Sequence, residues 1–71
     1  MNSFEIVRAK RALVEEIRRR EGGRLSIEGS REFLQGAGFR VNHDVLKVLV
    51  LGSSDSPLRF DGDDIVLNSP Q

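Results

Sequence analysis

The sequence predicts one small α+β domain, and three observations support this prediction. A long stretch near the N-terminus has apolar residues at helical spacing. Two shorter segments in the middle of the chain combine helix caps with apolar runs, and the C-terminal part alternates like a β-hairpin. With 71 residues, of which 38% are apolar, the chain has room for one core. We therefore assign residues 1–67 to one domain and residues 68–71 to a flexible tail.

The first helix is predicted to begin at Asn2 or Ser3, because either side chain can accept a hydrogen bond from a free N–H of the first turn. Its apolar residues fall on one side of a 3.6-residue wheel: Ile6, Val7, Leu13, Val14 and Ile17. The pair Gly22-Gly23 is predicted to end this helix, since glycine readily adopts the left-handed conformation of a helix C-terminus.

The middle of the chain predicts a short strand and two more helices. Residues 24–27 alternate polar and apolar side chains, as in a strand. A second helix is expected over residues 28–35, with Phe33 and Leu34 facing inward. Asn42 is a suitable cap for a third helix over residues 44–51. That run is apolar almost all round and rich in valine, so a buried strand is the alternative for it.

The C-terminal part of the chain, after a predicted loop at 52–57, has the pattern of a β-hairpin. A two-residue turn would put an aspartate opposite Phe60, on the apolar face. A four-residue turn instead pairs Phe60 with Ile65 and Leu58 with Leu67, so that all four apolar side chains face one way. We therefore predict the second register.

The predicted order is helix, short strand, helix, helix and hairpin, which is the order of a small winged helix. The pattern is carried by these segments: Leu13–Ile17, Gly22-Gly23-Arg24-Leu25-Ser26-Ile27, Val45–Leu49, Leu58-Arg59-Phe60 and Ile65-Val66-Leu67. It resembles the winged helix of LOTUS (OST-HTH) domains, and it is similar to the winged-helix segments that begin some CCCH zinc-finger antiviral proteins. Such families work in RNA biology. The resemblance therefore implies binding to RNA or docking onto partner proteins such as helicases.

The composition excludes several classes of function. The chain has no cysteine and one histidine, which rules out cysteine-based zinc sites, redox motifs and thiol catalysis. His43 and Asp44 do not form an acid–base pair, because adjacent residues of a helix do not face each other. No apolar run is long enough to span a bilayer. We therefore predict a non-catalytic module of a larger intracellular protein, with no cofactor, metal, small-molecule substrate or membrane partner.

Basic residues are concentrated in the first third of a chain whose net charge is zero. Residues 1–24 contain seven arginines and lysines against four glutamates. Four arginines share the face of the first helix opposite the core and can contact phosphates: Arg8, Arg11, Arg18 and Arg19. The alternative is a solvated face on which arginines pair with glutamates four residues before them. Arg24 has no partner nearby in the sequence and is the strongest single candidate for a ligand contact.

The third helix and the hairpin disfavour sequence-specific reading of DNA. Asn42, His43 and Lys47 lie where a recognition helix contacts bases, but Asp44 among them would repel phosphates. Three aspartates would lie at the tip of the wing: Asp61, Asp63 and Asp64. Such a wing should be repelled by a duplex rather than inserted into it.

Two functions from different classes follow. The first is binding of nucleic acid, RNA rather than DNA, through the first helix and Arg24. The second is protein docking through an apolar groove beside the third helix, because Val45–Leu51 holds more apolar side chains than one buried stripe requires. Base stacking on an exposed aromatic ring is not expected, because all four phenylalanines are assigned to the core: Phe4, Phe33, Phe39 and Phe60.

Overall fold

A computed structural model describes residues 2–52 and 56–68. Within these ranges the chain forms three helices and three strands: α1 (Ser3–Arg19), β1 (Arg24–Ser26), α2 (Ile27–Gly36), α3 (His43–Leu51), β2 (Leu58–Asp61) and β3 (Asp64–Leu67). The strands make one antiparallel sheet in the order β1-β3-β2. The predicted α+β architecture of a small winged helix is confirmed.

Helix α1 begins as predicted but ends earlier. The Asn2 side chain accepts a hydrogen bond from the backbone N–H of Glu5 at 2.8 Å. Arg20 has extended backbone angles and ends the helix, and a short turn follows at Glu21–Gly23. Gly22-Gly23 has positive φ angles of 80° and 64°, which a side chain would strain. The two glycines therefore turn the chain into β1 rather than ending α1.

Helices α2 and α3 are each capped by a side chain. Ser26 accepts from the N–H of Gly29 at 2.9 Å, so α2 begins one residue before its predicted start. Asn42 accepts from the N–H of Val45 at 2.9 Å, and residues 43–51 are helical. The strand alternative for residues 44–51 is therefore wrong.

The hairpin has the predicted register. Phe60 pairs with Ile65 and Leu58 pairs with Leu67, and the ladder extends by one further pair to leave a two-residue loop between β2 and β3. Strand β1 adds to the other side of β3, where Leu25 lies opposite Ile65. Ile65 is therefore in the central strand, with partners on both sides.

The core lies where the three helices meet the inner face of the sheet. Its fully buried members include Ala9, Leu13, Ile17, Leu34, Leu46, Leu49, Val50, Leu58 and Ile65. Phe33, Phe39 and Phe60 pack against this cluster and are partly buried. Phe4 does not: it is 69% exposed. The prediction that it belongs to the core is wrong, because on α1 it points away from the buried face that contains Leu13.

The described part of the chain continues through Asn68. Its backbone N–H donates to the carbonyl oxygen of Pro57 at 2.7 Å, and its side-chain amide donates to that of Ser56 at 2.9 Å. These two hydrogen bonds hold Asn68 against the start of β2. The rest of that tail, 69–71, and the middle of the predicted loop, 53–55, lie outside the described residues. No helix in the described ranges has the length and apolarity needed to cross a membrane.

Candidate nucleic-acid interface

The arginines in the second half of α1 are ion-paired on the helix surface. Arg18 lies 3.4 Å from Glu15, and Glu16 contacts both Arg19 and, at 2.9 Å, Arg20. This half of the helix thus has the ion pairs of the solvated-face alternative, but only the pair of Arg20 has the predicted spacing of four residues, because Arg18 and Arg19 pair with the glutamates three residues before them. Arg18 and Arg19 remain exposed, but a phosphate would have to compete with the carboxylates that they already hold.

The arginines in the first half of α1 have a different environment. Arg8 and Arg11 are exposed, and neither has a carboxylate oxygen within 4.0 Å among residues 2–52 and 56–68. The guanidinium carbon of Arg8 lies over the ring of Phe4, 5.9 Å from its centroid. Val7, on the same side of the helix, is 57% exposed. In the described ranges, this half of α1 thus combines two exposed apolar side chains with two arginines that form no ion pair.

Arg24 has no partner nearby in the sequence, as predicted, but it has two partners that are distant in the sequence. Its guanidinium lies 2.9 Å from a carboxylate oxygen of Asp61 and 3.1 Å from one of Asp64. Arg24 is in register with Val66, so its side chain reaches along β3 towards the hairpin tip. The two contacts tie β1 to both strands of the hairpin and neutralise part of the charge of the acidic wing. Asp63 has no such cation within 4.0 Å in the ranges described.

The outer face of the sheet contains one basic residue that the sequence analysis missed. Val66 is 5% exposed, although it points away from the core that buries its neighbour Ile65. Arg24 and Arg59 lie opposite Val66 on the flanking strands. Their alkyl stems are in the right position to cover it. Arg59 is exposed. Asp61 and Asp64 lie on the same face of the sheet, so this surface is not strongly basic.

The start of α3 is poorly suited to reading bases. The side-chain oxygen of Asn42 accepts the capping hydrogen bond, whereas a bidentate contact with adenine needs both the oxygen and the nitrogen of the amide. His43 Nε2 lies 3.7 Å from a carboxylate oxygen of Glu28, at the start of α2. Lys47 is exposed, as is Asp44 one turn earlier. The exposed side of α3 therefore offers one charge of each sign.

A shallow, open depression of about 470 Å³ lies between α2 and α3. It is lined by Gln35, Gly38, Phe39, Arg40, Val41 and Asn42. The Gln35 amide donates to the backbone oxygen of Val41 at 3.2 Å and holds the connecting loop. The exposed apolar side chains of α3, Val48 and Leu51, do not line this depression. It is therefore a different feature from the predicted apolar groove, and it contains a basic residue, Arg40, that the sequence analysis missed.

Two glutamates have lowered pKa values, and the expected consequence is acid sensitivity. The hydrogen bond from Arg19, reinforced by Arg20, lowers the pKa of Glu16 below its usual value of 4.5. The hydrogen bond from Arg31 does the same for the pKa of Glu28. A carboxyl group whose pKa is lower in the folded state contributes stability above about pH 4.5, and loses it as the pH falls through the folded pKa.

We therefore expect Glu16→Gln to lose less stability than the wild type when the pH is lowered from about 5 to about 3. Urea unfolding at several pH values measures this difference. Glu32→Gln is the charge-matched control, because Glu32 has no basic side chain within 4.0 Å among the described residues. If wild type and Glu16→Gln lose stability in parallel, the ion pairs of Glu16 contribute nothing to folding.

The comparisons with known proteins do not identify a family. No protein-family model, no curated protein and no solved structure matches the chain significantly. The resemblance to LOTUS domains therefore stays a prediction from the apolar pattern, and the function has to be inferred from the residues of this chain.

Proposed function

We propose that this domain is a non-catalytic, nucleic-acid-binding module of a larger intracellular protein, and that it binds RNA through the first half of α1. One observation carries the proposal. Arg8 and Arg11 lie exposed on one helix face, with no carboxylate within 4.0 Å in the described ranges. Cations that are not already neutralised can release the counterions of a phosphate backbone, which supplies most of the sequence-independent affinity for nucleic acid.

RNA is favoured over duplex DNA by the other surfaces of the domain. In the usual geometry a winged helix inserts α3 into the major groove and sets the wing beside it. Here the exposed side of α3 offers Asp44 against Lys47, and Asn42 uses its amide oxygen as a cap. The wing contains Asp63, which would face the phosphates of a duplex. Binding through α1 avoids all of these groups.

The test compares two double variants that remove the same charge from the same helix. Arg8→Ala/Arg11→Ala is expected to weaken RNA binding on every sequence alike. It should also flatten the plot of log affinity against log salt, by about 0.7 for each lost contact with a single strand. Arg18→Ala/Arg19→Ala is the matched control. Those two arginines are ion-paired with Glu15 and Glu16, so their loss should weaken RNA binding less. Fluorescence anisotropy with labelled RNA at several salt concentrations measures both quantities.

Two outcomes would contradict the proposal. In the first, Arg8→Ala/Arg11→Ala stays folded by circular dichroism and binds RNA with the affinity and salt slope of the wild type. In the second, both double variants lose the same affinity and slope, so that only the overall charge of the helix matters.

Protein docking through α3 is the second candidate, and a specific observation favours it. Val48 is 46% exposed and Leu51 is 62% exposed, and they lie about one turn apart on the same helix. Exposed apolar side chains that cluster are typical of contact surfaces. If the wild-type protein binds neither single-stranded nor duplex nucleic acid at low salt, docking through Val48 and Leu51 becomes the favoured function.

A further inference from the structure

An exposed phenylalanine lies beside the arginines of α1. Phe4 is in the first turn of the helix and is 69% exposed, whereas the other three phenylalanines of the chain pack against the core. Folding does not require an aromatic ring at such a position, because the ring adds nothing to the core. An exposed ring does offer a flat apolar face to a ligand, and unpaired bases stack on such faces.

The two cations stand on the same side of α1 as this ring. Arg8 follows Phe4 by four residues and Arg11 by seven, so that the three side chains form a row along one face of the helix. The row spans about 10 Å at 1.5 Å per residue. The Arg8 guanidinium carbon, 5.9 Å from the ring centroid, already lies over the ring. A nucleotide seated here would place its base on an aromatic face and its phosphate beside a guanidinium.

We propose that Phe4, Arg8 and Arg11 form a site for an unpaired nucleobase and its flanking phosphates. This inference rests on the proposed function and narrows its ligand to single-stranded RNA. A duplex presents phosphates and groove edges, but its base faces are already stacked on one another and cannot reach Phe4. A single strand presents both phosphates and free base faces, so only a single strand can use all three side chains.

The experiment uses three RNA probes and two substitutions of Phe4. The probes are a short labelled oligouridylate, an abasic strand of the same length and an RNA duplex. Phe4→Leu keeps an apolar side chain of similar size but removes the aromatic face. It is expected to weaken binding of the oligouridylate by about 5- to 150-fold and to leave the salt slope unchanged, since the phosphate contacts remain. Binding of the abasic strand and of the duplex should not change.

Phe4→Trp supplies a reporter at the same position. The chain contains no tryptophan or tyrosine, so the new indole would be the single strong fluorophore. It is expected to bind the oligouridylate at least as tightly as the wild type, with quenching of its emission as the base stacks on it. The abasic strand should leave this emission unchanged, because it has phosphates but no bases.

The outcomes separate this site from the proposed function. If Phe4→Leu binds the oligouridylate like the wild type while Arg8→Ala/Arg11→Ala is weakened, RNA binding stands and the stacking site is wrong. Equal affinity of the wild type for the abasic strand and the oligouridylate also overturns the stacking site. If the wild type binds none of the three probes at low salt, both proposals are wrong.

Discussion

Replacing Leu13 by alanine is expected to remove about 2–5 kcal/mol from the free energy of unfolding, which is most of the stability of this domain. Leu13 lies on the inner face of α1 and is 0% exposed. Truncating it loses buried apolar surface and leaves a cavity in the core that the described residues form. A domain of this size, with no cysteine to form a disulfide, gains about 3–5 kcal/mol from such a core. The loss expected from Leu13→Ala is therefore about as large as the whole stabilisation that the core supplies.

Thermal melting and urea unfolding, followed by circular dichroism, measure this loss. Val7→Ala is the control on the same helix, and it should be nearly neutral because Val7 is 57% exposed. Phe60→Ala should fall between the two, since its ring packs against the core but is only partly buried. A Leu13→Ala variant that melts within a few degrees of the wild type would show that Leu13 is not a central core residue.

The elements that depend on local interactions could be predicted from the sequence. Asn2 and Asn42 cap the helices that their positions indicated, since a cap involves residues only three apart. The hairpin register followed from one rule, that four apolar side chains must share a face. The end of α1 could not be predicted as well. Gly22-Gly23 indicates a change of chain direction, but it does not mark the residue at which the helix stops, which is Arg19.

The partners of Arg24 could not be predicted, because they lie 37 and 40 residues away in the sequence. Only the sheet order β1-β3-β2 places β1 beside β3, so that the Arg24 side chain, opposite Val66, can reach along β3 towards the hairpin tip. A residue that lacks a partner nearby in the sequence can still find one across a sheet. Arg24 thus holds two aspartates of the hairpin, and its contact with a ligand stays a prediction.

The order of the charges explains the paired half of α1 and the lack of a pair at Arg11, but it does not explain Arg8, which Glu5 precedes by three residues without a contact within 4.0 Å in the described ranges. A glutamate that precedes an arginine by three or four residues pairs better than one that follows it. Glu15 and Glu16 precede the second group of arginines in this way. Arg11 precedes Glu15, which contacts Arg18 instead. The exposure of Phe4 had a signal too, because a helical wheel puts it beside Arg8 and Arg11 rather than beside the buried residues.

The other large effect is expected from a buried hydroxyl group. Ser30, in the middle of α2, is 0% exposed, and its side-chain oxygen has no hydrogen-bond partner among the described residues. A buried polar group left in this state costs about 1–3 kcal/mol, and serine is a weaker helix former than alanine. Ser30→Ala removes one oxygen atom and creates almost no cavity. It is therefore expected to raise the free energy of unfolding by about 1–3 kcal/mol.

Urea unfolding of Ser30→Ala beside the wild type measures this gain. Ser30→Val is the control for packing, because it removes the same hydroxyl but adds volume at a fully buried position, and it should gain less or lose stability. A loss of stability in Ser30→Ala would mean that the hydroxyl has a partner in solution. Ser30 is buried, whereas the Arg8 and Arg11 side chains are exposed on α1, so its removal should leave RNA affinity unchanged. The stabilised variant would then allow the binding effects of the arginine and Phe4 substitutions to be measured apart from any effect on folding.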